Sequence, residues 1–241
     1  MNYALIFAGG VGSRMNTKAK PKQFLEISGK PIIIRTIEYY EENQNIDSIC
    51  LVCVAEWIEY TYKLLEKYNI KKVRWILPGG KTALESQHKG LEKISSECGC
   101  EKEDVVLIHD GVRPLISNEL IDNCIESVLK YGSAITVSPA IETIVCTDNN
   151  DMIESTISRD KCKLARAPQA FFLKDIINVH NKAISDGKHS YIDSASLMMA
   201  YGYKLHIVDG PSENIKVTNP SDFYITRALL DARENSQIFG I

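Results

Sequence analysis

Residues 8–15 read Ala8-Gly9-Gly10-Val11-Gly12-Ser13-Arg14-Met15, and Pro21-Lys22-Gln23-Phe24 follows shortly after. Glycines let backbone N–H groups approach phosphate oxygens closely. Arg14 adds a guanidinium that can grip an oxygen pair, and Lys22 adds a compact point charge, a combination suited to a triphosphate. The loop is not a dinucleotide fingerprint, which would need glycine where Met15 stands. Nor is it a Walker A loop, because no glycine precedes a Lys-Ser/Thr pair at the right spacing. Taken alone, the stretch also fits a tight turn with solvated cations.

Four further groups carry chemistry. His109-Asp110 ends the apolar run Val105–Ile108. A carboxylate there can hold Mg²⁺, which bridges phosphate oxygens and neutralises their charge; Asp110 also fits the cap of a turn. Arg113 is within reach of a phosphate or of a surface ion pair, and His109 reads as a packed strand-end residue with no proton to transfer. Gly79-Gly80 follows another strand-like run and precedes Thr82-Ala83-Leu84-Glu85, a capping-box pattern. Backbone groups in such a loop can read a base edge, a pyrimidine being the smaller fit, while Ser86 alone also fits a helix surface. Lys216 lies in Ile215-Lys216-Val217, read as a short strand, where a lysine is costly to bury without an anionic partner. Asp193 is placed to N-cap a helix over 194–201.

The elements that must position these residues alternate. Strand patterns fall at Tyr3–Phe7, Ser48–Val54, Lys72–Leu77, Val105–His109, Ala134–Ser138 and Lys204–Val208. Helical patterns fall at Ile32–Glu42, Trp57–Tyr68, Ala83–Ser96, Asn118–Tyr131, Lys174–Ser185, Ser194–Tyr201 and Pro220–Glu234, the last opened by an Asn219 cap and a first-turn proline. The strands are almost continuously apolar, as in a parallel sheet buried on both faces. The alternation predicts a single-domain α/β fold with a doubly wound, mostly parallel sheet, whose ligands bind beyond the carboxyl ends of the strands. The rhythm breaks from Ile141 to Ala167, where polar, charged and β-branched residues mix. This reads as a β-hairpin arm projecting from the sheet, of the kind used in function or assembly.

Composition narrows the classes further. The chain has 241 residues, 44% hydrophobic and 24% charged, which excludes a disordered, collagen-like or coiled-coil protein. Apolar runs such as Ile32–Ile34 and Cys50–Ala55 are far too short to span a membrane. Met1–Phe7 lacks a basic leader and its apolar run stops at two glycines, so it reads as a first strand and the protein is expected to be cytoplasmic. Seven cysteines fall in no metal-binding spacing and are expected to be buried free thiols. A net charge of -3 argues against a nucleic-acid binder. Residues 1–30 nevertheless carry Arg14, Lys18, Lys20, Lys22 and Lys30 against Glu26 alone, an asymmetry that suits a small polyanion at this end.

Together these motifs resemble the cytidylyltransferases that act on methylerythritol phosphate and on ribitol 5-phosphate. The first loop, Pro21-Lys22-Gln23-Phe24, Gly79-Gly80 with Ser86 and Gly90-Leu91, His109-Asp110-Gly111-Val112-Arg113-Pro114, Arg159, Pro168-Gln169, Asp193 and Asn214–Thr218 follow the family's order over nearly the whole chain. The resemblance implies a Rossmann-like nucleotidyltransferase that takes CTP and a polyol phosphate, uses Mg²⁺ and forms a homodimer through the arm. It implies nucleotide contacts at Phe7, Ala8, Gly9, Gly10, Gly12, Ser13, Gly79, Gly80 and Ser86. Asp110 and Arg113 would line the site, and Asp193 would be an acid near the nucleotide. It also implies catalytic roles for Arg14, Lys22, Arg159 and Lys216, the last two aiming the acceptor's phosphate, and a Thr143 contact from the partner subunit. One departure stands out: Ala83 occupies a position where the family usually has arginine, and Lys81 is the cation at hand to replace it.

The implied reaction is attack by a phosphomonoester oxygen on the α-phosphorus of CTP. That oxygen is already anionic near neutral pH, so no general base is needed. Positioning and charge stabilisation would carry catalysis. Methylerythritol-phosphate members usually show A-A-G in the first loop and D-T-x-K in the arm. This chain has Ala8-Gly9-Gly10 and Glu142-Thr143-Ile144-Val145, closer to the ribitol-phosphate branch, as are Ala55–Thr61 and Lys67–Ile70. A nicotinamide-dependent oxidoreductase is disfavoured by Met15 and the two cations.

Overall fold

In the computed structural model, which describes residues 1–10, 20–188 and 190–239, the chain alternates strand and helix as the pattern predicts. In chain order the elements are β1 (Asn2–Ala8), β2 (Glu26–Ile27), β3 (Lys30–Pro31), α1 (Ile32–Glu42), β4 (Ser48–Cys53), α2 (Ile58–Lys67), β5 (Val73–Pro78), α3 (Ala83–Cys98), β6 (Val105–Asp110), α4 (Asn118–Tyr131) and β7 (Ser133–Pro139). There follow β8 (Ile144–Thr147), β9 (Ile153–Ile157), β10 (Lys163–Phe172), α5 (Leu173–Ser185), α6 (Ser194–Ala200), β11 (Ile207–Asp209) and α7 (Pro220–Phe239).

Among the described residues one sheet has the order β11-β7-β10-β6-β1-β4-β5. All its pairings are parallel except those of β10, which runs antiparallel to both β6 and β7. Alternate residues of β1 face opposite ways. Ala4, Ile6 and Ala8 meet α1, α2 and α4 through Ile33, Ile37, Leu64 and Ile121. Tyr3 and Leu5 meet α3, α5 and α6 through Leu91, Ile94, Ile176 and Leu197. Both faces are thus covered, which is why the strands carry no polar alternation.

The arm is a hairpin of β8 and β9, but it is shorter than the sequence suggests. The chain re-enters the main sheet at Lys163 as β10, not at Ala167. Lys163, Arg166 and Pro168 disguise this strand, because their charge and missing N–H break the apolar pattern that marks the other strands. Its ladder with β7 is interrupted between Ala165 and Gln169, around a cis Ala167–Pro168 bond. The last sheet strand is Ile207–Asp209 and begins later than the Lys204–Val208 pattern. Residues 215–217 form no strand; the segment is held by Val217 N–H donating to the Val112 carbonyl at 3.0 Å.

The expected capping box at Thr82 is half made. The Thr82 hydroxyl accepts from Glu85 N–H, but the Glu85 carboxylate turns to Lys81 N–H instead of Thr82. Asn219 caps α7 by accepting from Asp222 N–H. The seven cysteines are free, but only Cys50, Cys53 and Cys124 are buried, while Cys98, Cys100, Cys146 and Cys162 are partly exposed.

Candidate active site

β1, β4, β5 and β6 are parallel, so their carboxyl ends share one edge of the sheet, and the two glycine loops and Asp110 emerge there. The loops touch. Gly79 N–H donates to the Cys53 carbonyl at 2.8 Å, and a Cβ on Gly79 would lie 3.0 Å from Gly9 Cα. Only glycine lets the backbones approach so closely. Ser86 is buried and shapes the second loop, its hydroxyl accepting from Gly80 N–H and donating to the Thr82 carbonyl, both at 2.9 Å. Lys89 braces the same loop on the Gly79 carbonyl. Gln23, fully buried, donates to the Ala8 carbonyl at 2.7 Å and fixes the start of the first loop. Gly12, Ser13 and Arg14 lie outside the described residues.

A cleft opens above this edge in two lobes. The smaller, about 220 Å³, is lined by Phe7, Ala8, Gly9, Gly10, Lys22, Gly80, Lys81 and Ser86. The other, about 290 Å³, is lined by Arg113, Arg166, Gln169 and Asp193. Phe7, Ala83, Asp110 and Lys216 border both. A larger and mostly apolar cavity of about 390 Å³ lies elsewhere, between α3 and α5. The two-lobed cleft is the site because the convergent charges are there, and polar groups in a concavity fix a ligand's orientation.

Asp110 is the hub. Its Oδ1 pairs with Lys216 Nζ at 2.5 Å and its Oδ2 accepts from Arg113 Nε at 2.7 Å. Burial pushes its carboxyl up, but the charges and hydrogen bonds of Lys216 and Arg113 overrule this and hold it at about 2. Asp110 is therefore ionised at any physiological pH. Arg113 is not left open for a phosphate: it pairs with Asp110 and donates to the Asn214 carbonyl at 2.8 Å. Lys22 donates to the Val217 carbonyl at 2.9 Å. Asn214, fully buried, donates to the Ala167 carbonyl. Segments around residues 22, 110, 167 and 216 are thus tied into one wall.

His109 is buried, which lowers its imidazole to about 4. Its Nε2 lies 3.1 Å from the Arg113 carbonyl, which can only accept, so the ring is neutral with its proton on Nε2. It braces the turn through that bond. Asp193 is the N-cap of α6, as its position predicts, with a complete capping box. Its second carboxylate oxygen accepts from Gln169 at 2.8 Å, so it borders the larger lobe as a committed group. Thr143 and Arg159 lie on the exposed arm, Arg159 donating to the Ile141 carbonyl at 2.7 Å. Neither lines the cleft of its own chain.

Each Asp110 oxygen keeps a second lone pair, so the carboxylate could serve as one ligand of a Mg²⁺. Among the described residues no group of three or more His, Cys, Asp or Glu is placed to hold a metal unaided. Sequence reasoning passed over Gln23, Lys89, Asn214 and Arg166. Asn214 and Gln23 sit inside quoted motifs, but their buried hydrogen bonds have no signature in residue type. Arg166 was absorbed into the arm.

The family model for IspD, 2-C-methyl-D-erythritol 4-phosphate cytidylyltransferase, matches residues 3–232. A ribitol-5-phosphate cytidylyltransferase from Vibrio parahaemolyticus is 53% identical over 240 residues, covering all of both chains. One of the same name from Streptococcus agalactiae serotype V is 49% identical over 241 residues, again covering both chains completely. Among solved structures, 4-diphosphocytidyl-2C-methyl-D-erythritol synthase from Anaerococcus prevotii superposes with a TM-score of 0.81 at 27% identity, covering 95% of this chain and 96% of that one. The 2-C-methyl-D-erythritol 4-phosphate cytidylyltransferase of Francisella tularensis gives 0.76 at 26% identity, covering 94% and 98%. With matches along nearly its whole length and the glycine loops, hub acid and converging cations in one cleft, the chain belongs to the IspD family of cytidylyltransferases.

Proposed function

We propose that this protein transfers CMP from CTP to D-ribitol 5-phosphate, giving CDP-ribitol and pyrophosphate. The observation that carries this acceptor is the 53% and 49% identity, over full length, to enzymes named for it. The site chemistry agrees with the transfer. The lobe formed by the two glycine loops and Lys22 suits the triphosphate and a pyrimidine. The lobe bordered by Asp110 and Lys216 suits a phosphate on a small polyhydroxyl chain.

A phosphomonoester oxygen attacks the α-phosphorus and pyrophosphate leaves. The nucleophile needs no base, and His109, the histidine nearest the hub, is neutral and committed. Lys22 faces the charge that grows at the α-phosphorus and leaving group, a role the sequence motif assigns to Arg14 as well. Lys216 holds the acceptor's phosphate, exchanging part of its contact with Asp110 for that anion. Mg²⁺ on Asp110 supplies charge neutralisation among the phosphates when bound.

The active form in this reading is a homodimer. The arm exposes Ile141, Val145, Met152, Ile153 and Ile157, more apolar surface than a hairpin facing water normally shows. Covering it with a partner's site would bring Thr143 and Arg159 to the acceptor there. Among the described residues no helix is long and apolar enough to cross a membrane. In this reading the enzyme is cytoplasmic and its product feeds a cell-surface polymer such as teichoic acid or capsule.

The test is pyrophosphate release from CTP with ribitol, methylerythritol, arabinitol and glycerol phosphates. Ribitol 5-phosphate is expected to give the highest kcat/KM. A preference for methylerythritol phosphate would overturn the acceptor, and comparable turnover with ATP would overturn the nucleotide.

A further inference from the structure

Arg166 is half-buried and, among the described residues, pairs with no acid. It lies in β10 where the ladder to β7 is interrupted, and such irregularities re-aim side chains. Because β10 runs antiparallel, its first half lies at the edge where β1 and β6 end, so Arg166 comes to the cleft. It lines the larger lobe beside Asp110, Arg113 and Lys216, and also a cavity of about 280 Å³ at the root of the arm. Among the described residues its side chain makes one hydrogen bond, Nε to the Ser138 hydroxyl at 3.1 Å, and no ion pair. Four of its five N–H donors are left for something else.

The neighbouring charges sharpen the point. Asp110 already serves both Arg113 and Lys216. Asp193 is spent on Ser196 N–H and Gln169. Burial and the nearby Arg113 charge both lower the pKa of Arg166, so holding the cation there is uphill. Glu142 borders the arm-root cavity but makes no ion pair with it. Three cations around one shared carboxylate leave a local surplus of positive charge that an anion would relieve.

We propose that Arg166 is a positioning residue for the acceptor, taking the phosphate of the incoming polyol phosphate from within the same subunit. This rests on the function proposed above. The glycine-loop lobe with Lys22 accounts for the triphosphate, so the anion at Arg166 is the second substrate's. With Nε anchored on Ser138, the two terminal nitrogens present the planar fork that suits a phosphate dianion. Lys216, a point charge already paired with Asp110, cannot impose that orientation alone.

The experiment compares wild type with Arg166→Met and Arg166→Lys in steady-state kinetics, each substrate varied in turn. Calorimetry measures CTP and inorganic phosphate binding, and thermal melts check the fold. Arg166→Met is expected to raise acceptor KM about tenfold or more, the cost of a charged hydrogen-bond pair, with CTP affinity within about twofold of wild type. Arg166→Lys is expected to recover part of the acceptor KM, which a purely structural role would not predict. If wild type turns over ribitol 5-phosphate and Arg166→Met keeps its acceptor KM, this inference is wrong and the proposed reaction stands. If another acceptor in the panel is preferred, the reaction reading fails and the same KM comparison with that phosphate decides Arg166. If no acceptor is turned over, phosphate binding unchanged by Arg166→Met overturns the inference, and its loss upholds it. If Arg166→Met melts early, Arg166→Lys carries the decision: an acceptor KM and phosphate affinity equal to wild type, despite the lost fork, would overturn it.

Discussion

Replacing Lys216 with methionine should make the protein less stable in a way that fades with acid. Asp110 goes from an ordinary 3.8 to about 2 on folding, which corresponds to about 2 kcal/mol of stability at neutral pH. Two cations share that effect, and the Lys216 side chain is 39% exposed, so solvent screens part of its attraction. Against this, removing it leaves the upward push of burial opposed by Arg113 alone. The expected loss at about pH 7 is therefore roughly 1–2 kcal/mol. The sign follows from the direction of the shift. A carboxyl whose folded pKa lies below its unfolded one contributes fully above about 4 and loses its contribution as pH falls toward about 2. Urea unfolding curves of wild type and Lys216→Met, followed by the fluorescence of Trp57 and Trp75 at fixed protein concentration, should differ most near neutrality and converge as pH drops through about 4. Lys216→Arg should stay close to wild type. A deficit that is constant with pH, or absent at neutrality, would refute the assignment of Asp110 as a carboxylate held ionised by Lys216.

Other outcomes follow from the same geometry. Lys22→Ala should lower kcat on the order of 100-fold, the scale of losing one preorganised transition-state contact, while Lys216→Ala should raise the acceptor's KM and leave CTP binding, measured by calorimetry, nearly intact. A Lys22→Ala enzyme with near-normal kcat would end that division of labour. Gly79→Ala places a Cβ 3.0 Å from Gly9 Cα, so the loops must part; KM for CTP should rise severalfold while the melting temperature moves little. Ile153→Glu on the exposed arm should shift sedimentation from dimer to monomer and reduce turnover, and a fully active wild-type monomer at assay concentration would contradict the arm's role in assembly.

Where one physical rule dominated a segment, residue patterns located it well. The patterns bound α1 and α4 correctly because amphipathic periodicity and clear breaks agree there, and β1, β4 and β6 stand out because burial on both faces leaves them uninterrupted apolar runs. β10 escaped for the opposite reason. It is antiparallel and half of it borders the cleft, so its first residues answer to the site's charge and not to a core. Lys163, Arg166 and Pro168 then look like an arm. Lys216 shows a related failure: its apolar neighbours read as strand, but Val217 is buried against Val112, Leu115 and Leu230 in a segment with no ladder.

The same contrast explains which site residues could be read in advance. Gly9, Gly79, Lys22 and Asp110 follow from chemistry that must recur wherever phosphates meet the carboxyl end of a sheet. Arg113 and Asp193 could be placed at the cleft but not assigned a partner, since both their readings, ligand contact or structural bond, use the same residue types. Here the geometry weighs the alternatives: Arg113 spends its charge on Asp110, and Asp193 spends its oxygens on α6 and Gln169. Among the described residues Arg166 makes no ion pair, and it stands where sequence pattern was least informative. A site that must bind a second dianion cannot neutralise all its cations internally, because each ion pair made within the protein has to be broken or shared when the substrate arrives. An arginine kept from any carboxylate, at the cost of a half-buried charge, is the arrangement that avoids this penalty.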